Sequence, residues 1–222
     1  MSEAIIVSSL GAIGLVGGAK VETTDLAELS GLTTHLVAAD GGADHLLAAG
    51  LSPAAVIGDM DSLSDAARIA FADQLHPVAE QETTDFEKAL MRVESACVLA
   101  LGFTGGRMDH MLSVLNVLAR YRHRAVVLLD DTDASFILPD DPVVLNLPPD
   151  TRLSLMPLAE LRATATGLRW PLQDRVLHPA GTVSSSNAVA QGPVSIQADG
   201  PLLITLPRAH LAQAVTAASR VR

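Results

Sequence analysis

Residues 37–63, VAADGGADHLLAAGLSPAAVIGDMDSL, decide how this chain is read. The apolar run 36–39 stops at Asp40 and the pair Gly41-Gly42. After a helix-like segment, a second apolar run, 54–57, stops at Gly58-Asp59-Met60-Asp61-Ser62. Each run has the length and composition of a short buried strand, and each carries carboxylates into the loop beyond it. In an open parallel sheet the loops at the carboxyl ends of the strands form the ligand crevice. Three carboxylates converging there can hold a hard cation and, through it, a polyphosphate.

The neighbouring segments extend the pattern. Towards the N-terminus, 4–7 and 13–16 read as strands, the latter ending at Gly17-Gly18, which serves either a tight turn or a close backbone approach to a ligand. Residues 24–29 form a short helix with a capping threonine. Between the two carboxylate-tipped strands, 43–49 is helical, with Gly50 just past its end and Pro53 beyond. Ser62 or Ser64 caps a helix over 65–71, and 76–79 is a further strand.

In 81–90, QETTDFEKAL, Thr84 and Glu87 have capping-box spacing, and Phe86, Ala89, Leu90 and Val93 share an apolar face. Asp85 then falls in the first turn of a helix, where the dipole alone would favour a carboxylate. Strand 96–101 leads into GFTGGRMDH, residues 102–110, and a helix to about Tyr121 with Met108, Met111, Leu112, Leu115 and Leu118 on one face. Glycines ahead of a helix N-terminus offer backbone N–H groups to an anion, and Arg107 adds a planar fork for phosphate oxygens. The pattern is neither a P-loop nor the dinucleotide fingerprint. His110, beside Asp109, is a catalytic group, a supporting partner or a solvated helix residue.

Strand 125–129 ends at Asp130-Asp131, after which β-rich segments replace helices, at 135–138, 143–147, 153–156, 194–198 and 202–206. The proline-rich stretch 139–149 lies where strand–helix alternation stops. The expected fold class is therefore α/β, in two domains. Residues 1–139 form a Rossmann-like, mostly parallel sheet with helices on both faces, and 140–222 an antiparallel β domain with a terminal helix over 208–221.

Composition sets outer limits. A 49% hydrophobic, 18% charged chain of 222 residues has enough bulk for a substantial core. Net charge is −10 and only two lysines occur, Lys20 and Lys88, so no basic stripe exists for nucleic acid. An anionic substrate would need a metal escort, whereas a cationic one suits the field. The lone cysteine, Cys97, lies in an apolar run and reads as a core residue. The start, MSEAIIVSSL, lacks a signal peptide's basic flank and long apolar stretch, and no run reaches membrane-spanning length, so a soluble, cytoplasmic protein is expected.

Asp40, Asp59, Asp61, Asp85 and Asp109 each follow a predicted strand, and each alone is a common turn or cap residue. Their shared edge is what indicates magnesium-dependent phosphate chemistry. Asp59-Met60-Asp61 also matches the Asp-x-Asp of phosphatases that form an aspartyl-phosphate, but those need a downstream lysine. Here Lys88 lies on a helix and Lys20 precedes the motif, so neither is placed for that role.

Three blocks in order, ADGGADHLLAAGLSPAAVIGDMDSL, TTDFEKAL and LGFTGGRMDHMLSVLNVL, resemble the thiamine pyrophosphokinase family, as do GLRWPL at 167–172 and VSSSNAV at 183–189. The resemblance runs from about residue 17 to 206. It implies an N-terminal α/β nucleotide domain, a C-terminal β-sandwich for thiamine binding and dimerisation, and a homodimer whose active sites are shared between subunits. The implied reaction moves the pyrophosphoryl group of ATP to the hydroxyethyl oxygen of thiamine, giving thiamine diphosphate and AMP. By the same resemblance Asp59, Asp61 and Asp85 hold Mg²⁺, with Asp40 nearby. Gln81 and Thr84 contact the triphosphate, Arg107 clamps it, Asp109 completes the Gly-Gly-Arg-x-Asp block, and His110 stands on the ATP side. Ser184, Ser186 and Asn187 line the thiamine side, while Trp170 belongs either there or in the packed β domain. Glu82 departs from the family's usual aspartate, and the Gly17-Gly18 block matches loosely. A related pyrophosphokinase for another alcohol, such as a hydroxymethyl pterin, a magnesium-dependent phosphatase, and a non-catalytic nucleotide- or thiamine-binding regulator remain open.

Overall fold

The structure, a computed structural model, describes residues 4–219. The chain divides into two compact units, Met1–Val114 and Leu115–Arg222.

The first unit is built on buried aliphatic strands. Its elements run β1 (Val7–Ser8), β2 (Ala12–Val16), α1 (Thr23–Leu32), β3 (His35–Ala39), α2 (Gly42–Ala48), β4 (Ala55–Gly58) and α3 (Asp65–Ala70). They continue with β5 (Leu75–Pro77), α4 (Asp85–Met91), β6 (Val93–Glu94), β7 (Cys97–Leu101) and α5 (Met108–Arg120), the helix in which the division falls. The sheet order β7-β2-β3-β4-β5 is parallel throughout. Nearly every residue of β3, β4 and β7 is buried, as expected of strands covered on both faces. Helix α1 packs on β2, α2 on β2 and β3, and α4 on β3 and β4. The chain steps from β2 to β5 in one direction and then returns to place β7 on the other side of β2. That reversal makes the β2–β7 crevice the topological switch point. Gly42 fixes where α2 starts: a Cβ there would lie 2.0 Å from the carbonyl oxygen of Val16.

Several local expectations change. The N-terminal strand shrinks to β1, paired with β6. Helix α1 starts after Glu22, with no side-chain cap, so the expected threonine cap is not made. On α5 the buried residues are Val114, Val117 and Leu118, whereas Met108 and Leu112 are exposed: the first turn stands clear of the core that the later turns join.

The second unit comprises β8 (Val126–Leu129), β9 (Asp133–Ile137), β10 (Val143–Leu145), β11 (Arg152–Pro157), β12 (Leu161–Thr166) and β13 (Leu172–Leu177). It closes with β14 (Ser184–Ala188), β15 (Val194–Ala198), β16 (Leu202–Pro207) and α6 (Leu211–Ala218). Two antiparallel arrays form, β8-β9-β16-β11-β14 and β10-β15-β12-β13. Strands β11 and β12 alternate buried and part-exposed residues, the period of half-covered strands. The terminal helix is confined to α6, preceded by a 3₁₀ turn, and the end of the expected 208–221 helix lies partly outside the described residues. No helix among the described residues is long and apolar enough to cross a membrane.

Candidate active site

The carboxyl ends of β3 and β4 bring the first acids together. Asp40 follows β3 with φ 43°, in the left-handed region, and is 2% exposed. Its Oδ2 accepts the Ser62 N–H at 3.1 Å, while Oδ1 is buried with no partner among the described residues. Burial pushes its carboxyl above the usual range, helped by the charges of Asp85 and Asp59 and opposed by the hydrogen bonds from Ser62. Beyond β4, Met60 is buried at φ 68° and turns the chain between Asp59 and Asp61. Arg68 of α3 donates to the Met60 carbonyl at 2.7 Å. Ser64 caps α3 through the Ala67 N–H, and it is also bound by Asp44 of α2. The loop is thus held at its middle and at its far end.

Asp59 uses both oxygens: Oδ1 accepts the Asp61 N–H at 3.3 Å, and Oδ2 accepts from Gln81 Nε2 at 2.9 Å and Lys88 Nζ at 3.2 Å. The hydrogen bond from Gln81, with those from Asp61 and Lys88, holds its carboxyl below the usual range. Asp40, Asp59 and Asp61 each present a carboxylate oxygen within 4.8 Å of the others. Hard oxygen donors at this spacing, one of them buried without a partner, are a fitting set for Mg²⁺.

Helix α4 supplies the rest of this edge. Thr84 caps it by accepting the Glu87 N–H at 3.3 Å, and Asp85 stands in the first turn. Burial raises the Asp85 carboxyl, against the pull of Lys88. Lys88, set aside in the sequence reading because it lies on a helix, is in fact in the site, 2% exposed, with Nζ 3.2 Å from Asp59 and 3.3 Å from Asp85. Burial works against its charge, but the hydrogen bonds and fields of the two carboxylates leave its ammonium above the ordinary lysine range. Its spacing three residues after Asp85 was visible in the sequence, but its burial, within a run from Phe86 to Leu90, was not. Glu82 is exposed, its N–H donating to Glu80 at 2.7 Å.

The switch point holds the glycine loops. The Gly17 N–H donates to Leu101 O at 2.8 Å and the Ala19 N–H to Gly102 O at 2.9 Å. A Cβ on Gly17 would lie 2.5 Å from Gly102 O, so the bare backbone there lets the two loops pack together. Gly105 and Gly106, at φ 73° and 61°, lead into α5. Phe103 meets Phe86 of α4 edge to face at 4.8 Å, tying this loop to the acid-bearing helix. Arg107 forms a two-pronged pair with Asp109, 3.2 Å from Nε to Oδ1 and 2.6 Å from Nη2 to Oδ2, both side chains being well exposed. That pairing lowers the Asp109 carboxyl to about 2. His110 is exposed in the first turn of α5.

In the second unit, Trp170 is 62% exposed, which removes it from the core. Asn187 is buried, and all four hydrogen-bonding positions of its amide are engaged within the chain. Its Nδ2 donates to Trp170 O at 2.8 Å and Ser184 Oγ at 3.1 Å, and its Oδ1 accepts the N–H groups of Trp170 at 3.3 Å and Ala188 at 2.8 Å. Ser186 sits at φ 55° in an irregular β11–β14 register, its N–H donating to Ser154 Oγ at 3.0 Å. Such bulges re-aim side chains.

Comparison with known proteins places this architecture. The profile described as "Thiamin pyrophosphokinase, catalytic domain" matches residues 27–129, and "Thiamin pyrophosphokinase, vitamin B1 binding domain" matches 144–203. Thiamine pyrophosphokinase 1 of Oryza sativa subsp. japonica is 30% identical over 176 residues, covering 69% of this chain and 66% of that protein. The chain thus spans about two thirds of the length of its plant relatives. Thiamine pyrophosphokinase of Bacillus subtilis is 28% identical over 78% of this chain and 86% of that one. Among solved structures, thiamin pyrophosphokinase from Geobacillus thermodenitrificans is 25% identical with a TM-score of 0.74, covering 88% of this chain and 96% of its own. That from Candida albicans has the same fold, with a TM-score of 0.77 over 93% of this chain and 95% of its own at 16% identity.

Proposed function

The chain belongs to the thiamin pyrophosphokinase family, and on that premise we propose that it transfers the pyrophosphoryl group of ATP to the hydroxyethyl oxygen of thiamine, releasing AMP. The observation that carries this reading is the acid-tipped sheet edge with the unpartnered, buried Asp40 oxygen. Asp40, Asp59 and Asp61 would hold Mg²⁺, with Asp85 as a fourth carboxylate shared with Lys88. Magnesium bound there would supply charge neutralisation to the phosphates.

The chain's own groups do the remaining work. Attack by an alcohol on a phosphorus needs alignment and charge stabilisation more than a covalent intermediate. At the switch point Gly17 and Gly102 let the two loops pack backbone to backbone, and the α5 N-terminus beyond Gly106 favours the charge of phosphates. Arg107, exposed and paired with Asp109, can turn its fork onto phosphate oxygens. Gln81 orients Asp59, and Thr84 fixes the start of α4 beside the triphosphate.

Residues 1–139 thus serve ATP and the metal, and 140–222 the acceptor and dimerisation. In a homodimer with shared sites, Trp170, Ser184 and Ser186 of a second copy present the thiamine surface. Asn187 acts by holding Trp170 and Ser184. The net charge of −10 suits a thiazolium cation. Asp59→Asn is expected to abolish turnover of ATP with thiamine while leaving the far-UV circular dichroism unchanged. Near-normal turnover of that variant in saturating magnesium would contradict the assignment.

A further inference from the structure

Lys88 has no part in the reaction as described, yet its burial demands a reason. It is 2% exposed on a helix whose neighbouring residues, Phe86 to Leu90, are all buried. A charge in that place carries a desolvation cost that an aliphatic residue would not. Its Nζ lies between two carboxylates, 3.2 Å from Asp59 Oδ2 and 3.3 Å from Asp85 Oδ1. Both distances exceed the usual 2.7–2.9 Å or so of strong charge-assisted bonds, so the ammonium bridges the acids without gripping either. The other oxygen of Asp59, Oδ1, is the one bonded by the Asp61 N–H. Asp59 therefore stands between a lysine on one side and the Asp61 loop on the other.

We infer that Lys88 is an internal counter-cation that competes with the divalent metal for Asp59 and Asp85. It keeps these carboxylates apart and in place in the metal-free chain, and yields them when the metal enters. By holding the affinity for bare metal down, it makes the metal enter with the nucleotide, as a metal–polyphosphate complex, instead of residing in the protein. Lys88 is on this account a positioning residue, and the inference rests on the metal site proposed above.

The chain makes this testable without mutation, because its only lysines are Lys20 and Lys88 and the Lys20 side chain is 88% exposed. Protein labelled with ¹³C,¹⁵N-lysine is titrated with MgCl₂ alone, with calorimetry in parallel. The expected result is a saturable movement of the Lys88 side-chain resonances that follows the calorimetric isotherm, with Lys20 stationary. Stationary Lys88 resonances while calorimetry records binding would overturn the inference and leave the metal site intact. No saturable magnesium binding even when a non-hydrolysable ATP analogue is present would remove the metal site and the inference together. As a second readout, Lys88→Gln should tighten Mn²⁺ binding without nucleotide by about tenfold or more, because one competing charge is lost at close range, whereas Lys88→Arg should not. Unchanged or weaker Mn²⁺ binding by folded Lys88→Gln, which a merely structural lysine predicts, would overturn it. Should Lys88→Gln fail to fold, the titration of the unmodified protein decides alone.

Discussion

Replacing Asp40 with asparagine should make the metal-free protein more stable and the magnesium-bound protein less so. The Asp40 carboxylate is 2% exposed, takes one hydrogen bond from the Ser62 backbone, leaves Oδ1 unpartnered and faces Asp59 and Asp61. Asparagine can keep the Ser62 contact through its carbonyl, turn N–H groups towards the neighbouring carboxylates, and tolerate φ 43°. Relief of a buried unsatisfied polar group amounts to about 1–3 kcal/mol. For a chain of this length each kcal/mol moves Tm by about 2–4 °C, so a rise of about 2–12 °C is expected in EDTA. Burial raises the Asp40 carboxyl in the folded chain above its unfolded value. Its contribution to stability is therefore present in full below the unfolded carboxyl range and lost as pH rises through the folded value. The gap between variant and parent must then widen with pH and close in acid. Magnesium at a hundredfold excess over Kd stabilises a binding protein by about 2.7 kcal/mol, an increment the variant should largely lose. Thermal unfolding followed by circular dichroism between pH 4 and 8, in EDTA and in MgCl₂, measures all three effects. A variant less stable than its parent in EDTA at every pH would refute the reasoning, since Asp40 would then be serving the loop and not a cation.

Gly42→Ala should cost about 3 kcal/mol, because its Cβ would fall 2.0 Å from Val16 O and α2 would have to move off β2. In the same unfolding assay Gly31→Ala, in open space on α1, should instead gain about 0.5–1 kcal/mol. Arg107→Ala should lower kcat/KM for ATP by about 10²–10³-fold with no change in Tm, since its pair with Asp109 lies in solvent. Arg107→Lys should recover little of this, for want of the planar fork.

The N-terminal half was legible in the sequence because parallel strands covered on both faces leave continuous apolar runs, as in β3, β4 and β7. The acids that follow those runs could be assigned to one edge for the same reason. Strands β12, β13 and β14 were not foreseen. LRATAT does alternate, but its buried positions hold one leucine and two alanines, a faint apolar signal; LQDRVL and SSSNA, with four of the six residues of β13 exposed, carry no apolar period. Lys88 was set aside because a charged helical residue is ordinarily solvated, and only the packing of α4 reveals it as buried between two acids. The contact of Gly17 with Gly102 joins loops from two strands distant in sequence, which residue spacing cannot announce. The family resemblance alone pointed to Asn187, and the saturation of its amide by Trp170, Ser184 and Ala188 depends on the β11–β14 register.

The products formed from ATP and thiamine test the central claim most directly. With magnesium present, ³¹P NMR and chromatography of the reaction should show AMP and thiamine diphosphate appearing one for one, with no ADP. Formation of ADP with thiamine monophosphate, or of inorganic phosphate without thiamine, would contradict it.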